Sequence, residues 1–182
     1  FFYLYLFVDI FSRKIVGWEV HATDDSVHAA HLVRRTALAE GIATMLTKPV
    51  LHGDNGATLK ATTVLGMLYW LGVKPSYSRP RVSDDNAYAE SLFRTAKYRP
   101  EFPAKGFADL QAARTWAAEF VRWYNEEHRH SGIRYVTPGQ RHCGQDRGRR
   151  QEHEDDEPIV GTRRGGHRHQ RAPGPAPAVG PA

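Results

Sequence analysis

The sequence has one cysteine, few methionines and no long apolar run. A single cysteine, Cys143, cannot supply a disulfide framework or a thiolate zinc site within one chain, which fits a reducing cytoplasm. No apolar stretch approaches the ~18 residues that a membrane-spanning helix needs, so we expect no membrane partner. The opening FFYLYLFVDIF lacks a basic segment and a small-residue cleavage site, so it predicts a strand rather than a signal peptide.

Aromatic residues are absent from Arg147 onward. This end of the chain contains 7 Arg, 5 acidic residues, 6 Gly, 5 Pro and 3 His, too little apolar surface to offset the entropy of ordering. We therefore divide the chain into a domain over 1–142 and a disordered basic tail over 143–182. Residues 1–146 retain 18 basic and 15 acidic side chains, a charge that permits a polyanionic partner without requiring one.

Hydrophobic patterning predicts four strands. An aromatic and aliphatic stretch at 3–8 and a β-branched stretch at 15–20 flank the polar turn SRK, which is typical of a hairpin. A short apolar run predicts a buried strand over 49–52, and a further strand is expected over 73–78. Because these strands alternate with helical segments, we expect a mixed α/β sheet with helices on its faces.

Apolar residues at helical spacing predict helices over 24–40, 58–71, 84–97 and 107–125. The first is expected to bury Val27, Ala30, Val33 and Ala37; the second Ala61, Val64, Leu65, Leu68 and Leu71; the fourth Leu110, Ala113, Ala117, Phe120, Val121 and Tyr124.

The stretch HGDNG places Asp54 directly after a predicted strand. Asp-Asn-Gly is a common turn sequence, so on its own it favours a turn residue. Open α/β sheets, however, bind their ligands at the carboxyl ends of strands. Asp54 is therefore either a turn former or a ligand-binding carboxylate.

A second acidic residue, Glu90, lies on a polar face of the third predicted helix. At 100° per residue, Glu90 shares its face with Asn86, Arg94 and Lys97, while Ala89, Leu92 and Ala96 form the apolar stripe. The alternative interpretation is a solvated face with an ordinary Glu–Arg pair. With 35 residues between them, Asp54 and Glu90 can meet only through the fold.

Four ordered blocks carry a family resemblance over most of residues 1–142. They are YLYLFVDIFSRKIVGW, HGDNG, LGVKPSYSRPRVSDDNAYAESLFRTAK and FVRWYNEEHRHSGIRYVTPGQ. The chain resembles the integrase core of bacterial insertion-sequence transposases, which are DDE polynucleotidyl transferases related to retroviral integrases. The resemblance implies a ribonuclease H-like fold and the cutting and joining of DNA phosphodiesters with two Mg²⁺ (or Mn²⁺) ions.

By this resemblance, Asp54 and Glu90 match the second and third catalytic carboxylates and metal ligands of the family. The chemistry is consistent, because Mg²⁺ prefers oxygen ligands and two cations about 3.5–4 Å apart stabilise both the attacking and leaving oxygens. The DNA-binding candidates are Lys97, Arg94, Arg79, Arg81 and Asn86. The alternative for each arginine is an exposed charge that only aids solubility, and the alternative for Asn86 is a structural role at the start of the helix.

The block WYNEEHRHSGIRY matches a family motif after the last helix. Its matching residues are Tyr124, Asn125, His128, His130 and Ser131, which are expected to fix this helix end to the core.

The family's first carboxylate has no counterpart in the chain. It belongs to a strand upstream of the Tyr-Leu-Tyr-like stretch, so we expect something to precede Phe1. Asp9 matches a non-ligating family position, where we expect its carboxylate to accept hydrogen bonds from Phe11 or Ser12. Without the first carboxylate and the central strand that bears it, the chain is predicted to be inactive in strand transfer, with unpaired backbone groups along a buried edge.

Two other functions stay open. One is a non-catalytic DNA-binding or oligomerising transposase remnant, and the other is a nuclease of the same fold acting on RNA–DNA hybrids. A bacterial, nucleoid-associated location in the cytoplasm and a homo-oligomer acting on transposon ends and target DNA follow from the resemblance. The tail is either a frameshift product or a basic arm that adds DNA affinity.

Overall fold

The computed structural model describes residues 1–54, 56–79 and 87–146. The expectations for Arg81, for Asn86, for the start of the third helix and for the tail beyond Asp146 lie outside these residues. Four strands and six α-helices are described: β1 Tyr3–Val8, β2 Ile15–His21, α1 Ser26–Ala39, β3 Val50–Gly53, α2 Ala57–Lys60, α3 Thr62–Leu71, β4 Lys74–Tyr77, α4 Ala87–Lys97, α5 Leu110–Glu126 and α6 Pro138–His142. None of these helices is long and apolar enough to cross a membrane.

The predicted hairpin is confirmed. β1 pairs antiparallel with β2, from Tyr3 opposite His21 to Val8 opposite Ile15, with an irregularity between Phe7 and Val8. At the turn, Asp9 Oδ1 accepts from Phe11 N at 3.2 Å and Oδ2 from Ser12 N at 3.2 Å, as expected for this residue. The turn thus satisfies its own backbone donors through the Asp9 carboxylate.

Helices cover both faces of the hairpin because side chains alternate along a strand. Tyr5 and Phe7 pack against the buried core of α1 and α3. Leu6, Val8 and Trp18 pack instead against the buried residues of α4 and α5. The result is a layer of helices on each side of a thin sheet, which is a mixed α/β architecture.

The second pair of strands is parallel. β3 lies beside β4, with Val50 opposite Lys74 and Gly53 opposite Tyr77. Among the described residues, the strands form two separate two-stranded sheets, β1–β2 and β3–β4, rather than one continuous sheet. The strand predicted over 49–52 is confirmed as β3, but its predicted burial is wrong, since Val50 is 58% exposed and no residue of β3 is fully buried.

The single helix predicted over 58–71 is also wrong, because the chain breaks at Ala61. This residue has extended backbone angles, φ −63° and ψ 143°, and separates the short α2 from α3. Thr58 Oγ1 donates to Asp24 Oδ1 at 3.1 Å, and the Tyr77 hydroxyl donates to the Leu59 carbonyl at 3.3 Å. These long-range contacts hold α2 and override the helical periodicity.

Helix faces agree with the periodicity in most places. α3 buries Val64, Leu68 and Leu71, although Leu65 is exposed. α5 begins at its N-cap Asp109 and buries Ala113, Ala117, Phe120, Val121 and Tyr124. In α1 the expected Val27 is 58% exposed. The helix instead buries Ala29, Ala30, Leu32, Val33, Thr36 and Ala37, because it packs against both β2 and α3.

Candidate functional site

Asp54 immediately follows β3, at the carboxyl end of the parallel β3–β4 pair. Its side chain is exposed, and Oδ1 accepts a hydrogen bond from Gly56 N at 2.9 Å. The residue therefore forms an Asx-type turn and also presents its carboxylate to solvent. An ionised carboxylate has about four acceptor positions, so this one bond leaves capacity for a ligand.

Glu90 lies in the first described turn of α4 and is exposed. Leu92 and Ala96, on the apolar stripe of the same helix, are buried against α5 and the hairpin. The predicted division of α4 into a core face and a polar face thus agrees with the burial pattern.

One cavity connects the elements that carry the two carboxylates. Its volume is about 460 Å³, and its walls include His52 of β3 and Ala89 of α4. Asp54 is two residues beyond His52, and Glu90 directly follows Ala89. The fold therefore brings the end of β3 and the start of α4 to one cavity, although neither carboxylate lines it.

The donor set fits a hard divalent cation. Both candidates are exposed carboxylates, and Mg²⁺ is commonly held by one or two carboxylates together with water and substrate phosphates. Within residues 1–54, 56–79 and 87–146, no three His, Cys, Asp or Glu side chains lie close enough together to hold a metal ion.

Three of the basic DNA-binding candidates lie among the described residues. Arg94 and Lys97 are exposed on α4, and the Arg94 guanidinium lies 5.7 Å from the centre of the Tyr98 ring. Arg79 follows β4 and is exposed. Arg81 and Asn86, the other two DNA-binding candidates, lie outside the described residues.

Asp9 is committed to a separate network at the hairpin turn. Besides its turn bonds, Oδ2 accepts from the Ser12 hydroxyl at 2.6 Å and lies 3.3 Å from His142 Nδ1. Burial would raise the pKa of Asp9, but the hydrogen bonds from Ser12, Phe11 and His142 outweigh it and lower the pKa. This carboxylate is therefore ionised and engaged in holding the turn.

The Tyr124–Ser131 block lies where α5 meets the hairpin. Asn125 Nδ2 donates to the Ile15 carbonyl at 3.0 Å, and its Oδ1 accepts from Ile15 N at 2.9 Å. Tyr124 is buried, and its ring contacts those of His128 and His130. Burial, together with His128 and Arg13, lowers the pKa of His130 to about 4. These contacts join the end of α5 to the start of β2.

A polar cluster beside α2 is absent from the sequence-based expectations. Asp24 Oδ1 accepts from the Tyr5 hydroxyl at 2.6 Å and from Thr58 Oγ1 at 3.1 Å. Burial and the Asp24 carboxylate raise the pKa of Tyr5 to about 12. The cluster fixes the helix that follows Asp54. Tyr5 and Thr58 are 19 and 34 residues from Asp24 in the sequence, so the only local sign of this cluster is the polar run at 23–26.

Similarity to known proteins agrees with this geometry. Two family models, both described as integrase core domain, match residues 1–83 and 71–138. A transposase for insertion sequence element IS904 from Lactococcus lactis subsp. lactis (strain IL1403) is 28% identical over 138 residues, which is 75% of this chain. The chain spans about half of that protein, 53% of its length.

Solved structures show the same fold. The catalytic core domain of BIV integrase matches with a TM-score of 0.57 at 16% identity, over 81% of this chain and 89% of that domain. A chain of the simian T-cell lymphotropic virus intasome, solved in complex with PP2A regulatory subunit B56 gamma, matches with a TM-score of 0.55 at 12% identity. That match covers 93% of this chain and 53% of the viral chain. The ribonuclease H-like fold expected from the sequence is thereby confirmed.

Proposed function

Because this chain belongs to the integrase core family of insertion-sequence transposases, we propose that it supplies the catalytic core for cutting and joining DNA. The observation that carries this proposal is the placement of two exposed carboxylates. Asp54 follows the carboxyl end of β3, Glu90 lies on the polar face of α4, and both elements border one cavity. The chain spans part of its relatives, so the transposition reaction is proposed for the longer protein of which such a core is part.

In this proposal Asp54 and Glu90 hold divalent metal ions, Mg²⁺ or Mn²⁺. When bound, such ions lower the pKa of an attacking water or DNA hydroxyl and neutralise charge on the leaving oxygen. The chain's own contribution is to orient the carboxylates. The turn bond from Gly56 N fixes Asp54, and burial of Leu92 and Ala96 fixes the rotation of α4 and hence of Glu90.

The basic residues near the carboxylates are proposed to bind the DNA backbone. Arg94 and Lys97 project from the exposed face of α4, and Arg79 projects from the end of β4. Arg81 and Asn86 belong to the same proposal through their place in the sequence between β4 and α4. Phosphate contacts of this kind position DNA and weaken as salt rises.

The 182-residue chain by itself is expected to be inactive in strand transfer. Asp9, which directly follows β1, accepts from the Ser12 hydroxyl and contacts His142, so we do not propose it as a third ligand. A second function is therefore favoured by the same observation: a non-catalytic DNA-binding or oligomerising remnant.

Metal binding by the purified chain tests the site without requiring activity. Mn²⁺ is titrated into the chain and followed by its electron spin resonance signal, with Asp54→Asn and Glu90→Gln as variants. Glu119→Gln, an exposed acid on α5, is the matched control. We expect each site variant to weaken Mn²⁺ binding about tenfold, because each removes a charged ligand. Equal binding by all four proteins would contradict the proposed metal site.

DNA binding is measured in parallel at several salt concentrations. Lys97→Ala should weaken binding and reduce the salt slope by about 1, as expected for one lost phosphate contact. Lys74→Ala, at the opposite end of β4 from Arg79, should behave like the unmodified chain. Salt-dependent binding without metal-dependent cleavage supports the remnant, whereas cleavage by the 182-residue chain contradicts its predicted inactivity.

A further inference from the structure

The helix α2 follows the Asp54 turn and is too short to form without support. It consists of Ala57–Lys60, and its N-cap residue, Gly56, provides no side-chain cap. A single helical turn fixes several backbone dihedrals for one hydrogen bond, so it is unstable in isolation. Gly56 also donates its N–H to Asp54 Oδ1 at 2.9 Å. The position of the Asp54 carboxylate therefore depends on the contacts that hold α2.

Contacts from distant parts of the chain hold α2 in place. The Leu59 carbonyl accepts from the Tyr77 hydroxyl at 3.3 Å, and the Leu59 side chain covers Gly53 so closely that a Cβ there would collide with it. Thr58 Oγ1 donates to Asp24 Oδ1 at 3.1 Å. Gly53 and Tyr77 belong to β3 and β4, whereas Asp24 ties α2 to the segment between β2 and α1.

Asp24 is itself held by the hairpin. Its Oδ1 accepts from the Tyr5 hydroxyl at 2.6 Å, and that hydroxyl accepts from Asp25 N at 3.0 Å. Asp25 is the N-cap of α1, and its side chain accepts from Val27 N at 2.8 Å. With its pKa raised to about 12 by burial and by Asp24, the Tyr5 hydroxyl stays protonated and able to donate. One carboxylate oxygen therefore joins β1, the start of α1 and α2.

We propose that Asp24 is a positioning residue for Asp54, holding α2 and the preceding turn so that the Asp54 carboxylate is presented to a divalent cation. This inference rests on the proposed function, because it deepens the role given there to Asp54. Asp24 is not proposed as a ligand, since its Oδ1 already accepts two hydrogen bonds. Nor do any three side chains of metal-binding type converge in the part of the chain that the structure describes.

The proposed role requires a hydrogen-bond acceptor at Asp24 and does not require its charge. The carbonyl oxygen of an asparagine can accept from the Tyr5 and Thr58 hydroxyls, although the side chain is neutral. Alanine provides neither the acceptor nor the charge. Comparing Asp24→Asn with Asp24→Ala therefore separates positioning from long-range attraction of a cation, which both variants would remove.

Amide hydrogen exchange of the 182-residue chain tests, without any metal, whether Asp24 holds the turn. Asp24→Ala and Thr58→Val should speed exchange over residues 56–61 at least about threefold, because α2 then opens more often. Asp24→Asn should exchange at nearly the rate of the unmodified chain. Thr63→Val, at an exposed threonine of α3, is the matched control for Thr58→Val and should not change this rate.

Mn²⁺ binding, followed by electron spin resonance, tests the consequence for the ligand. Asp24→Ala should weaken Mn²⁺ binding about fivefold, because a residue that orients a metal ligand affects affinity without touching the ion. Asp24→Asn should bind Mn²⁺ like the unmodified chain. In the Asp54→Asn background, Asp24→Ala should have no further effect, because Asp24 acts through Asp54. A general loss of stability would weaken binding in both backgrounds, so the comparison separates positioning from a merely structural role.

Three outcomes would overturn the proposal. The first is unchanged exchange over residues 56–61 in Asp24→Ala. The second is an equal loss of Mn²⁺ binding in Asp24→Asn and Asp24→Ala, which indicates a role of the charge. The third is a further loss on Asp24→Ala in the Asp54→Asn background, which makes Asp24 independent of Asp54. If Asp54→Asn instead binds Mn²⁺ as tightly as the unmodified chain, the proposed metal site fails, and exchange over residues 56–61 alone decides whether Asp24 positions Asp54.

Discussion

Two corners of the molecule use polar residues in opposite ways. At the corner where the hairpin turn meets α5 and α6, the polar side chains are directed inward and bonded to one another. Ser12 is fully buried and contacts both Asp9 and His142. At the corner formed by the end of β3 and the start of α4, Asp54 and Glu90 point to solvent. We call these regions the first corner and the second corner. The polar contacts of the first corner hold the hairpin turn, α5 and α6 together, whereas the second corner leaves its charges available for binding.

Carboxylate identity alone does not assign a role in this chain. Asp9 and Asp54 both form an Asx-type turn, with Phe11 N and Gly56 N respectively. Asp9 has further partners in Ser12 and His142, which lower its pKa despite burial. A turn carboxylate whose remaining lone pairs are satisfied by the protein is structural, whereas one left exposed is a candidate ligand.

Removing the bonds between Asn125 and Ile15 should give the largest loss of stability. Asn125→Ala deletes two hydrogen bonds to the backbone of Ile15, which is almost completely buried, and leaves its N–H and C=O unsatisfied. We expect the free energy of unfolding to fall by about 3 kcal/mol, at ~1–3 kcal/mol for each buried group. Urea unfolding followed by tryptophan fluorescence measures this.

The neighbouring Glu126→Ala is the control, because Glu126 is exposed on the same helix end. It should change the free energy of unfolding by less than about 0.5 kcal/mol. A comparable loss from both variants would mean that helix propensity at the end of α5, rather than the Asn125 bonds, stabilises the first corner.

Helix faces and the hairpin follow from the sequence because they depend on local periodicity. Residue spacing alone predicts the apolar stripe of α5 and the polar face of α4. It does not predict the break at Ala61, because Thr58 and Leu59 are held by Asp24 and Tyr77, which are distant in the sequence.

The candidate site was predictable to the same limit. The interval between Asp54 and Glu90 and the sequence blocks around them predict both as site residues, and this stays a prediction. That β3 and α4 border one cavity, and that the described strands divide into two sheets, depends on packing that no local pattern encodes.

Acid should destabilise the folded chain through protonation of His130. The expected loss of unfolding free energy is smaller than that for Asn125→Ala and larger than that for Asp54→Asn. Its Nε2 is buried without a hydrogen-bond partner among the described residues, and burial is the main cause that lowers its pKa to about 4. The unfolded chain has a His pKa near ~6.5, so it binds more protons than the folded chain between these values. The contribution of neutral His130 to the free energy of unfolding is fully present above about pH 6.5. It should decrease by ~1–2 kcal/mol as the pH approaches 4, a loss smaller than the full pKa difference implies because solvent partly screens the side chain.

Replacing the imidazole isolates this contribution. His130→Phe keeps a ring against Tyr124 but cannot titrate, so its free energy of unfolding should decline less between pH 6.5 and 4. Ser131→Ala, an exposed neighbour, should retain the original pH profile. A His130→Phe profile parallel to that of the unmodified chain would show that protonation of His130 does not limit acid stability.

The second corner should show the smallest effects on stability, even where binding is lost. Asp54→Asn keeps an oxygen that can accept from Gly56 N, and asparagine is itself a favoured turn residue, so we expect a change below about 0.5 kcal/mol. Asp54→Ala removes that acceptor and should cost about 0.5–1.5 kcal/mol, the value of one exposed hydrogen bond. Glu90→Gln should not change stability, because glutamine is a comparable helix former.

Thermal unfolding of the three variants, measured together with Mn²⁺ binding, distinguishes the role of Asp54 in the turn from the role of its charge. Loss of Mn²⁺ binding in Asp54→Asn without loss of stability would assign the carboxylate charge to ligand binding. A large loss of stability in Asp54→Asn would instead make Asp54 a structural residue like Asp9.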